Sequence, residues 1–242
     1  MTLSKSNLKV ILLSITICYL TSCSKDNSPI VFSEVTEEEA AELIETSLQK
    51  STGGLNEITK TYSEELTTDI TLNESCDTAY EESFTYSYNT NSIQADYLTN
   101  WSYEMTCTDL DVPESVVFEA SSAGNYTTTR IVSEDTMQTS ASISGLQPSS
   151  QTLIFNGSFK REGAQEITIN LNTRSLSSSL KVDFTNLIVD KSTYAITSGT
   201  GTASLMGINQ NNSFSFEGTV VFNGNGSATL TLNGNSYQID IN

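Results

Sequence analysis

From about Asp69 to the C-terminus, side-chain character alternates every second residue and the alternation breaks at turn residues, a pattern that admits few folds. Phe84, Tyr86 and Tyr88 alternate with polar residues, and so do Trp101, Tyr103, Met105 and Cys107, with turn chemistry at Asn89-Thr90-Asn91-Ser92 between them. After Val112-Pro113 the strand-like runs are Ser115 to Ser122, Tyr126 to Val132, Thr139 to Gly145, Gln151 to Lys160 and Glu166 to Thr173. Leu180 to Val189, Thr193 to Gly207, Ser213 to Phe222, Ser227 to Asn233 and Ser236 to Ile241 follow. Separators such as Gly124-Asn125, Asn223 to Gly226 and Asn233-Gly234-Asn235 are short, and short connections join antiparallel neighbours. The chain is therefore mainly β, a meander, and a sheet of ten or more strands must curl, close or split.

An internal echo runs through it. Leu153, Phe155, Gly157, Phe159, Gly163, Ile167, Ile169 and Leu171 match Phe214, Phe216, Gly218, Val220, Gly224, Ala228, Leu230 and Leu232 at a constant offset of 61. Two similar hairpins are expected, each with a glycine inside its first strand.

The start of the domain has a helical period instead. Thr36-Glu37-Glu38-Glu39 has the form of a capping box, and Ala40, Ala41, Leu43, Ile44 and Leu48 make one apolar stripe, ended by Ser51-Thr52-Gly53-Gly54. Leu55, Ile58, Tyr62 and Leu66 mark a second amphipathic helix. Both stripes need something to cover. The expected architecture is one large antiparallel meander sheet, curled or partly closed like a half-barrel or barrel, with one or two N-terminal amphipathic helices packed on it.

Upstream, Lys5 and Lys9 precede an apolar run from Val10 to Leu20, the layout of a secretory signal and too short to span a bilayer. Leu20-Thr21-Ser22-Cys23 at its end resembles, position by position, the lipobox of bacterial lipoproteins. That resemblance implies cleavage before Cys23, diacylglycerol on its sulfur and acylation of the new amino terminus, and several acyl chains make such anchoring stable. Ser24, not Asp, follows Cys23, which in similar lipoproteins of Gram-negative bacteria favours passage to the outer membrane, and the polar Lys25-Asp26-Asn27 resembles the export tags of surface lipoproteins of the Bacteroidota. The expected organisation is a signal peptide over 1–22, a lipidated tether over 23–35 and a single β-rich domain with N-terminal helices over 36–242. The expected location is the bacterial outer membrane, on its periplasmic or cell-surface face, with the membrane as partner through Cys23.

With Cys18 removed and Cys23 lipidated, Cys76 and Cys107 remain, and an even pair in an exported chain reads as a disulfide. If they face each other across an antiparallel ladder, paired residue numbers sum to 183 and the turn falls at Asn91-Ser92. That register sets Tyr80 opposite Tyr103, Phe84 opposite Thr99, Tyr86 opposite Tyr97 and Tyr88 opposite Ala95, all on one face.

Composition narrows function mainly by exclusion. The net charge of −18 repels phosphate backbones and disfavours nucleic acid as a partner. Residues 23–122 carry 21 acids against three lysines, whereas 123–242 carry eight acids against six bases. Histidine is absent, which removes the usual triads, His-ligated zinc and the commonest general base near neutral pH. No phosphate loop or dinucleotide fingerprint is present, so no cofactor is expected. Carboxylate chemistry survives, with Glu81-Glu82, Glu104 and Glu119 as candidates. Asp109, Asp111 and Glu114 lack the glycine-turned spacing of a calcium loop. The aromatic face reads as core, with Trp101, opposite Glu82 and nearer the sheet margin, as the candidate for an exposed aromatic contact. The leading expectation is a non-catalytic, lipid-anchored binding or scaffolding domain of the cell envelope, whose partner is a glycan, an apolar ligand or an envelope protein. The alternatives are a carrier of an apolar ligand between helices and sheet, and a carboxylate-dependent glycosidase.

Overall fold

Thr36 opens the first helix as its sequence requires. Its Oγ1 accepts from the Glu39 amide at 3.3 Å while Glu39 Oε2 accepts from the Thr36 amide at 2.8 Å, which satisfies two of the donors that a helix start leaves open. The computed structural model describes residues 34–71, 76–210 and 212–242. The signal, Cys23 and most of the tether lie outside the described residues. Helix α1 (Glu37–Leu48) is followed by a short 3-10 turn (Lys50–Thr52) and by Gly53, left-handed at φ 67°, which redirects the chain into α2 (Leu55–Thr71). A Cβ on Gly53 would meet Tyr97 Cδ2 at 2.7 Å, so this elbow rests directly on the sheet.

The sheet has ten strands in sequence order, each antiparallel to its neighbours: β1 (Ala79–Asn89), β2 (Gln94–Cys107), β3 (Pro113–Thr127), β4 (Ile131–Ser144), β5 (Thr152–Ile169), β6 (Asn172–Asp190), β7 (Ile196–Asn209), β8 (Asn212–Gly224), β9 (Ser227–Leu232) and β10 (Asn235–Asp240). It is an open meander with β1 and β10 at its margins. Register shifts at Thr106/Cys107, Phe155/Gly157, Thr185/Ile188 and Phe222/Gly224 bend individual strands.

Cys76 and Cys107 are bonded, with Cα atoms 5.7 Å apart. Strands β1 and β2 pair in the expected register, including Tyr80 with Tyr103, Phe84 with Thr99, Tyr86 with Tyr97 and Tyr88 with Ala95. Asn91-Ser92 form the centre of the turn, closed by the Thr90 amide donating to Ile93 O at 2.8 Å.

One face of the sheet carries the core. Leu43, Ile44, Leu48, Leu55, Ile58, Tyr62 and Leu66 are at most 3% exposed, and the Tyr62 ring stacks on Phe118 with centroids 3.8 Å apart. Burying each such aliphatic side chain contributes about 1.5–3 kcal/mol, which is why the two stripes dock rather than stand free. The other face alternates outward and is rich in Ser and Thr.

Four strands are longer than the turn residues suggested. β3 runs through Gly124-Asn125, and the chain turns at Thr128 to Arg130, where Thr128 Oγ1 accepts from the Arg130 and Ile131 amides at 3.2 and 2.9 Å. β4 accordingly starts at Ile131, inside the expected Tyr126 to Val132 strand. β5 joins two expected strands into one, so the first half of the 61-residue echo is a single strand and only the second half is a hairpin. β6 likewise extends back to Asn172, because the turn lies at Asn170-Leu171. The reason is visible in one cross-strand row, Tyr97–Gly124–Asp135–Gly163. A Cβ on Gly124 would lie 2.6 Å from Tyr97 Cδ1, and one on Gly163 would lie 2.5 Å from Asp135 Cβ. These glycines make room for large inward side chains; they are not turn residues.

Candidate binding face

The inward face carries a buried ionic bracket that alternation alone does not reveal. Asp135 sits in phase with Ile131 and Met137, and Arg161 with Phe159 and Ile167, so both charges project into the core. Arg161 Nε lies 3.0 Å from Asp135 Oδ1, with the two side chains 3% and 0% exposed. The carboxylate also accepts from Tyr97 OH at 3.1 Å and from Ser133 Oγ at 2.7 Å. The guanidinium donates to Thr46 O at 3.1 Å and Thr52 O at 3.2 Å, and to Tyr97 OH, and it lies over the Tyr126 ring at 4.5 Å. Burial pulls the Arg161 pKa down, but the Asp135 charge and the flanking tyrosines more than offset this and hold it above the usual arginine range. Burial raises the Tyr97 hydroxyl well above its ordinary value, so it stays protonated and donates to Asp135. The cluster ties the end of α1 and the 3-10 turn to the starting segments of β2 and β4 and to the middle of β5. A second buried pair joins Arg174 of β6 to Glu39 of α1, and Arg174 Nη1 donates to Glu34 O at 2.9 Å.

Trp101 is not an exposed contact. It is 5% exposed and meets Tyr62 edge-on at 5.4 Å, Phe84 at 4.9 Å and Phe118 at 6.1 Å. Helix α2 covers the margin that sequence position suggested was open, because Tyr62 reaches across it. The aromatic face is core.

The opposite face offers a shallow groove of about 820 Å³ across β1 to β6. Its side chains come from adjoining cross-strand rows. One contains Glu81, Ser102, Glu119, Ser140 and Ser158, and the next contains Ser83, Asn100, Ser121, Gln138, Lys160 and Lys181. Alternation explains the composition, since every second residue of a sheet covered on one side faces water. Lys160 and Lys181 are directly opposite each other, an arrangement that costs energy unless balanced. Glu162 lies 2.7 Å from Lys160 and Asp183 lies 2.8 Å from Lys181. Neither lysine stood out in the sequence; their meeting depends on a register set by strands that turn chemistry had divided.

The structure brings Glu81 and Glu119 to this groove, sets Glu82 in the alternate row opposite Trp101 at the groove's rim, and leaves Glu104 on the outer face outside the lining. Asp109, Asp111 and Glu114 lie in or beside the exposed β2–β3 loop, and no group of three metal-ligating side chains occurs among the described residues. No helix among the described residues is long and apolar enough to cross a membrane. Compared with protein-family models, curated proteins and solved structures, the chain matches none.

Proposed function

We propose that this is a lipid-anchored, non-catalytic binding domain of the bacterial cell envelope that presents the outer face of its sheet to a hydroxyl-rich polar ligand, such as an envelope glycan. The observation that carries this reading is the division of labour between the two faces. The inner face is filled by helices, whereas the outer face holds a groove lined by hydroxyl, amide, carboxylate and ammonium groups. Such a lining pairs with a ligand of many hydroxyls, to which Lys160 and Lys181, each ion-paired along its own strand, add ammonium donors. Anchoring follows from the lipobox-like Leu20-Thr21-Ser22-Cys23. Leu43, Ile44 and Leu48 are packed against the sheet, which argues against a carrier holding an apolar ligand there. The test is titration calorimetry of the chain from residue 24 onward against a panel of neutral and acidic oligosaccharides. Binding that falls at least about ten-fold in Gln138→Ala and Lys181→Ala supports the reading, each such loss being the scale of one hydrogen bond to a charged or polar partner. Binding unaffected by either change, or none across the panel, counts against it.

One observation favours a second reading. Glu81 and Glu119 flank Ser102 in a single row, their backbones two strand spacings or roughly 10 Å apart, from which two flexible side chains can bring their carboxyls to the roughly 6.5–9.5 Å of an inverting glycosidase pair. Hydrolysis of a chromogenic glycoside that disappears in Glu119→Gln would favour it over binding alone.

A further inference from the structure

Two tight turns of this sheet share a backbone conformation but not a sequence. At the β9–β10 turn Asn233 and Gly234 have φ 48° and 90°, and at the β5–β6 turn Asn170 and Leu171 have φ 48° and 68°. Two positive φ values in a two-residue hairpin call for Asn-Gly, as β9–β10 has. A branched side chain in the left-handed region is strained, and Leu171 is also 97% exposed, the most exposed large apolar residue described. Neither folding nor solubility is served by leucine there.

Its position supplies a reason. Arg174, three residues along β6, donates from Nη1 to Glu34 O at 2.9 Å, so the chain leading back to Cys23 joins the domain beside this turn. Cys23 and Glu34 are eleven positions apart along the chain, a span of at most about 40 Å when fully extended. The other prominent exposed leucine, Leu110 at 83%, caps the β2–β3 loop at the opposite end of the sheet, flanked by Asp109 and Asp111. We infer that Leu171 is a second membrane contact, which enters the acyl boundary of the bilayer and fixes the orientation of the lipid-anchored domain. At this end Arg130 and Arg174 are each ion-paired, with Glu42 and Glu39, and the further acids Glu34, Glu37 and Glu166 favour a zwitterionic surface over an anionic one. One apolar side chain does not hold a protein at a membrane alone, but beside covalent lipid it needs only to orient. The inference rests on anchoring through Cys23.

The test uses the full chain matured in a bacterial envelope, with acylation of Cys23 read by intact mass, reconstituted in phosphatidylcholine–phosphatidylethanolamine vesicles containing brominated lipid. Leu171→Trp and Leu110→Trp are compared after subtraction of the unsubstituted chain, whose Trp101 is buried. Quenching of Leu171→Trp at least about two-fold greater than that of Leu110→Trp supports the contact. Equal quenching in acylated protein overturns it while leaving the anchor intact. A mass without acyl chains overturns the anchor, and this inference with it. Hydrogen exchange on the unsubstituted chain is the second reading. Slower exchange of the 170–172 amides on vesicles supports the contact, and unchanged exchange overturns it.

Discussion

Arg161 on β5 and Asp135 on β4 form an ion pair at 3.0 Å in the centre of the helix–sheet interface, with every oxygen of the carboxylate and both terminal nitrogens of the guanidinium hydrogen-bonded. Desolvating two charges is costly, and the cost is offset only when each keeps a full set of partners. The pair therefore fixes where the 3-10 turn sits on the sheet. Removing one member leaves the other charged in the core. Arg161→Met should destabilise by about 3–5 kcal/mol in urea unfolding, and adding Asp135→Asn should recover part of that loss. A single substitution costing less than the double one would show that the pair does not position the helices.

Cys76 and Cys107 close a loop with a sequence separation of 31. Replacing both by serine should cost about 3–4 kcal/mol on the chain-entropy account. The β1–β2 register should survive the change, because the aromatic pairs Tyr80–Tyr103 and Phe84–Trp101 remain. Equilibrium unfolding measures the first, and backbone amide couplings across the ladder measure the second.

Leu171 makes a prediction of opposite sign. In the unlipidated domain Leu171→Gly should raise stability by about 1 kcal/mol, since the left-handed φ of 68° suits glycine. Leu171→Asn should move the same way by less. Loss of stability in both would mean that the turn is not strained by its leucine.

Acid should stabilise part of the helical layer. Glu57 is 7% exposed and its pKa is raised by burial, against the Thr61 hydroxyl, which donates to it at 2.9 Å. Burial also raises Glu42 and Glu45. A carboxyl whose folded pKa exceeds its unfolded value binds more protons when folded. Its stabilising contribution is therefore complete below the unfolded value near 4.5 and is lost as pH rises through the folded value. The Tm of the wild-type domain should climb as pH falls from neutral toward about 5, and Glu57→Gln should climb less. Equal slopes would remove Glu57 from the account. Glu37 works in the other direction, since hydrogen bonds from Asn235, Asn233 and Tyr237 lower its pKa. Its contribution is held above the unfolded value and lost as pH falls through the folded one.

The capping box at Thr36, both helical stripes, the β1–β2 register and the disulfide were legible in the sequence because each is set by neighbouring residues or by one covalent constraint. Strand lengths were not. Gly124 and Gly163 carry the local signature of a turn, yet they lie mid-strand where Tyr97 and Asp135 need their space, and Leu171 carries the signature of a strand yet forms a turn. Trp101 was misplaced because the reach of Tyr62 from α2 is a tertiary fact. The bracket did leave a trace, opposite charges in the inward phase of Ile131–Met137 and Phe159–Ile167, which becomes readable once those runs are known to be single neighbouring strands.

The division between a filled inner face and a working outer face is tested most directly by amide chemical-shift mapping of the isotopically labelled domain during titration with the oligosaccharide panel. Shifts should concentrate at Asn100, Ser121, Gln138, Lys160 and Lys181, the row that crosses the groove. Shifts confined to Leu43, Ile44, Leu48 and the strands beneath them, or no shifts with any sugar, would contradict the account.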